Sequence, residues 1–113
     1  MHKIKVVIKR PDEEFGHMTN ISPSLENLQK TVGGHFETVT LLSASETIAS
    51  PVIALVNEEG KIKGLERNMR IPGDILVGTI IVCGVQGEGI GDIPIEFKLW
   101  KKLVKILEEN SKF

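Results

Sequence analysis

Arg67, Asn68 and Arg70 stand close together in the chain, with Lys61 a short way upstream. A guanidinium fork binds phosphate or carboxylate in a bidentate manner, and an asparagine amide reads another amide or a base edge. Functional side chains concentrate on loops held by a rigid scaffold. Lys61, Arg67, Asn68 and Arg70 therefore form a candidate site for an anionic small molecule, with a nucleotide among the ligands that suit it. The competing account is a solvated turn whose arginines bond only the local backbone.

The remaining candidates for chemistry are weaker. Residues 84–91 carry Gly84, Gly87, Gly89 and Gly91, which invites comparison with a phosphate cradle. The dinucleotide fingerprint needs glycines at its first, third and sixth places, and a P-loop needs Gly-Lys followed by Ser or Thr. Neither pattern is met, so the segment reads as a mobile connection. His2, His17 and His35 are far apart and Cys83 is the single cysteine, so no zinc-binding spacing exists and no metal site is expected. Glu13-Glu14 and Glu58-Glu59 fall in turns, where nothing would raise a carboxyl pKa. Cys83, in an apolar run, reads as a core residue. No catalytic residue is identified, no cofactor is implied, and the chain does not read as an enzyme.

These residues must be positioned by one domain, because 113 residues are too few for two ordinary ones. Hydrophobic residues make up 41% and charged residues 26%, enough for both a core and a solvated surface. With only 4% aromatics, that core rests on Val, Ile and Leu. The net charge of −1 lacks the basic excess of a phosphate-backbone binder, which argues against nucleic acid as a partner. No apolar stretch approaches the ~18 residues of a membrane span, and the first residues do not resemble a signal peptide. With one cysteine and no disulfide, a cytoplasmic setting is expected.

Residues 3–9 form a β-branched run closed by a turn at Arg10-Pro11-Asp12, and 15–21 suit a short edge strand. Ser22-Pro23-Ser24 starts a helix whose apolar face is Leu25, Leu28 and Val32, and Gly33-Gly34 ends it. Residues 35–42 alternate with a slip of one, which predicts a strand with a bulge. A polar loop over 43–50 leads to a buried strand at 51–56. The turn 57–60 is expected to open a hairpin into Lys61-Ile62-Lys63, residues 64–73 are expected to be irregular, and 74–83 a second buried strand interrupted by Gly78. Asp92 is placed as the cap of a last helix with Leu99, Trp100, Leu103, Val104 and Leu107 on its apolar face. The sum is an α+β fold: a mainly antiparallel sheet of about five strands, a mid-chain helix and a C-terminal amphipathic helix.

Four segments carry a family resemblance: Leu28 to Gly34 with Phe36-Glu37, Asn57 to Lys61 with Gly64-Leu65, Asn68 with Arg70, and Asp74-Ile75 leading to Gly78-Thr79. On these the chain resembles a family of small proteins of unknown function from bacteriophages, plasmids and other mobile elements, mostly of Gram-positive bacteria. Met69 stands between Asn68 and Arg70 where that family more often has the two adjacent. The final helix is also more apolar than the family's ending, which suits either a cover for the sheet or a dimer contact. The resemblance implies a mobile-element origin and a host-cytoplasm setting, and no reaction.

Two functions are expected from these readings. One is a non-catalytic accessory protein, a homo-oligomer by expectation, that binds an anionic small molecule such as a nucleotide immune signal and sequesters it from host defence. The other is an interaction module in which the last helix, with its lysines and Trp100, binds and modulates a host or phage protein.

Overall fold

The computed structural model describes residues 2–111. Eight strands and two helices follow the order β1 (Ile4–Lys9), β2 (His17–Ile21), α1 (Leu25–Val32), β3 (Phe36–Leu42), β4 (Val52–Asn57), β5 (Arg67–Ile71), β6 (Asp74–Val77), β7 (Ile80–Gln86), β8 (Gly89–Gly91) and α2 (Phe97–Glu109). The fold is α+β. Its main sheet runs β2-β1-β7-β4-β3 with β8 added to β7, and β5-β6 form a separate hairpin. Every strand pair is antiparallel.

The sheet is covered on both faces, which explains why the inner strands read as unbroken apolar runs. Side chains alternate across a strand. Ile4, Val6, Ile53, Leu55, Ile81 and Cys83 therefore pack with Leu28 and Val32 of α1. On the other face, Val7, Val52, Ala54, Val56, Ile80 and Val82 pack with Met69, Ile71 and Leu76 of the hairpin and Trp100, Leu103 and Val104 of α2. Trp100 is fully buried, and its indole N–H donates to the Phe15 carbonyl at 2.8 Å, which ties α2 to the β1–β2 connection. Lys101 and Lys105 extend over the Phe15 ring at 5.6 and 5.7 Å, within cation–π range.

Several local features follow from single residues. Ser24, not Ser22, caps α1, its hydroxyl accepting from the Asn27 N–H at 3.2 Å. Gly33 closes that helix with φ of 87°. The slip in β3 appears as a register shift between Thr40 and Leu42.

Five expectations are corrected. Lys61-Ile62-Lys63 is not a strand: 58–64 is a run of turns, because the Asn57 side chain accepts the Glu59 N–H at 2.9 Å and curls the chain away from the sheet. Residues 64–73 are not irregular, since Arg67–Ile71 is a strand whose alternation is hidden by polar residues and a register shift between Arg67 and Met69. The 74–83 run divides at Gly78, where φ of +75° redirects the chain from the hairpin into the main sheet. Residues 84–91 are not a loose connection, because Gly87 and Glu88 turn β7 into β8. Asp92 does not cap α2, which begins after Glu96; its carboxylate accepts the Lys5 N–H at 2.8 Å instead.

Candidate functional site

The hairpin β5–β6 carries three of the four candidate residues, and the structure gives the four different tasks. Asn68 is 5% exposed and its amide is engaged internally. Its Nδ2 donates to the carbonyls of Lys9 and Gly78 at 2.7 and 2.8 Å, and its Oδ1 accepts from Lys9 Nζ at 2.8 Å. Lys9 Nζ also donates to the Asn68 carbonyl at 3.1 Å. Asn68 is thus a core clasp between β1, β5 and the Gly78 bend, with no amide group presented to a ligand. Burial pushes the Lys9 ammonium below its ordinary pKa, partly offset by the charges of Glu108 and Glu13.

Arg67 is bound to α2. Its Nη2 donates to both carboxylate oxygens of Glu108, at 3.0 and 3.2 Å. Glu108 Oε1 also accepts the Arg70 backbone N–H, an atom on the β5 edge that no neighbouring strand satisfies. Burial works to raise the Glu108 pKa, but the bonds from Arg70 and Arg67 overcome it, and the carboxyl lies below its usual range. A carboxylate on an open strand edge also blocks further strand pairing there.

The other two residues meet. Lys61 and Arg70 line one open cleft of about 470 Å³ together with Ile71, Gly73, Asp74 and Ile75. Lys61 is ion-paired to Asp74, and this contact, with the Ile75 N–H, holds the Asp74 carboxyl below its usual range. Arg70 differs: among the described residues its guanidinium has no hydrogen-bond or ion-pair partner, and its buried Nε is unsatisfied. A cleft with one uncompensated guanidinium and aliphatic walls can hold an anion end-on through the two terminal nitrogens.

Burial pushes the Cys83 thiol up to about 12, so it is no nucleophile. Among the described residues, no three of His, Cys, Asp and Glu come together to hold a metal ion. None of the described helices is long and apolar enough to cross a membrane.

Two structural partners escaped the sequence reading although signals existed. Lys9 lies at period two from Val7, on the face that the hairpin covers. Glu108 follows Trp100 and Val104 at helical spacing, which turns it toward the protein.

A family profile described as a domain of unknown function, DUF3846, matches residues 4–105. The chain belongs to the DUF3846 family. The match runs from β1 into α2 and includes Lys61, Arg67, Asn68 and Arg70, whereas Ser111, which also lines the cleft, lies beyond it. No curated protein and no solved structure matches this DUF3846 chain.

Proposed function

We propose that this DUF3846 protein is a non-catalytic binder of a small anionic molecule, held in the cleft beside Arg70. The observation that carries the reading is the contrast among three cations. Arg67 is paired with Glu108 and Lys61 with Asp74, whereas Arg70 lines the cleft with no counter-charge among the described residues. A partly buried guanidinium without a partner is a poor arrangement for stability alone, and an arriving anion corrects it.

The resemblance to mobile-element proteins makes nucleotides the first compounds to try, with sequestration of a host immune signal in the cytoplasm as the role such binding would serve. Calorimetry against cyclic and linear nucleotides, inorganic phosphate and simple carboxylates tests the reading. Binding by one class, lost in Arg70→Ala and retained in Arg67→Ala, supports it. No heat from any class contradicts it. Self-association into a homo-oligomer belongs to the same proposal and is measured by light scattering with and without the bound anion.

A second reading, an interaction module, is favoured by the outer face of α2. Leu99 and Ile106 are 50% and 53% exposed there, beside Lys102. Trp100 is withdrawn from that surface because it is buried in the core. Deleting the helix would therefore unfold the protein. Leu99→Ser with Ile106→Ser is the appropriate test, and loss of a captured partner at unchanged melting temperature would favour this reading.

A further inference from the structure

The Arg70 cleft continues into a second cavity, and the two differ in charge. A narrower groove of about 90 Å³ adjoins it, and both are lined by Lys61, Asp74 and Ile75. The Lys61–Asp74 ion pair therefore stands at their border. Beyond it the groove wall mixes the aliphatic side chains of Val39, Val56, Leu76 and Val77 with the amide of Asn57. Its rim carries Glu37 and Glu58, both exposed and neither in an ion pair among the described residues.

We infer that the ligand is a monoanion with an aliphatic tail: one carboxylate on Arg70, and a chain that crosses Ile75 into the groove. This rests on the cleft reading above and narrows its ligand class. Among the described residues, Arg70 is the one cation lining the cleft without a counter-charge, which matches one carboxylate. A phosphate monoester brings nearly two charges at neutral pH. A second anionic group at the far end of the ligand meets Glu37 and Glu58 and is repelled. An alkyl chain there loses only water-exposed apolar surface, which favours binding.

Calorimetry with hexanoate, adipate and adenosine monophosphate on the whole protein tests the inference. Hexanoate is expected to bind, and adipate about fivefold more weakly, the size of effect that exposed like charges produce. In Glu37→Gln with Glu58→Gln, two surface changes, the gap between hexanoate and adipate is expected to close. Adipate or the nucleotide binding as tightly as hexanoate to the unaltered protein would overturn the inference and leave the anion cleft standing. An unchanged gap in the double variant would overturn it as well. Failure of all three compounds to bind would overturn the cleft reading and this inference together.

Discussion

The carboxylate of Glu108 accepts the backbone N–H of Arg70, so the last helix closes the open edge of the hairpin that forms the cleft. The same carboxylate holds Arg67, whereas the Arg70 guanidinium has no partner among the described residues. One acid thus fixes the position of β5 and engages the neighbouring guanidinium of Arg67.

Glu108→Ala should destabilise the protein by about 1–2 kcal/mol, because it strands a partly buried N–H and an arginine. The Glu108 pKa is lower in the folded chain. Its contribution is therefore complete above the ordinary carboxylate range and is lost as pH falls through the lowered folded value. Urea midpoints measured across the acid range should drop more steeply for the unaltered protein than for Glu108→Gln.

Lys9 and Asn68 should behave as a coupled pair. Asn68→Ala removes an acceptor from a buried ammonium and should cost about 2–3 kcal/mol. A double-mutant cycle with Lys9→Met should show a coupling of about 1–2 kcal/mol. Burial lowers Lys9 below 10.5, so the unfolded chain holds the extra proton between the folded value and 10.5. The penalty on folding from this residue should fade as pH rises through that window, and Lys9→Met should lose that dependence.

Two glycines of the hairpin region separate strain from crowding. Gly78 has φ of +75° and a Cβ there would lie 2.8 Å from Leu65 Cδ1, whereas Gly73 has φ of +83° with open space around it. Gly73→Ala should cost about 1 kcal/mol from backbone strain, and Gly78→Ala more, since Leu65 must also move. Chemical denaturation of the two variants reads the difference directly.

Cys83 should be silent toward thiol reagents in the folded protein. It is fully buried and its thiol is pushed up to about 12. Modification by a disulfide reagent should proceed at the rate of unfolding and accelerate when urea is added.

The layers of this fold were legible where apolar pattern and capping agreed. Leu28 and Val32 with Gly33 marked α1, and the runs in β4 and around Ile80 to Cys83 marked the buried strands. The hairpin was not legible, because its inward residues, Met69 and Ile71, alternate with Arg70 and are shifted by the bulge after Arg67. Tertiary contacts settled what pattern left open: Asn68 became a core residue only because Lys9 and the Gly78 carbonyl approach it. Lys61 and Arg70 share a cleft through the antiparallel register that sets Arg70 beside Ile75, next to Asp74. No local sequence feature encodes that meeting.

Arginine side-chain NMR during titration with hexanoate tests the central claim most directly. The Arg70 guanidinium resonances should shift and saturate while those of Arg67, fixed by Glu108, stay in place. Absence of any arginine response, or a response confined to Arg67, would contradict the assignment of the cleft as an anion site.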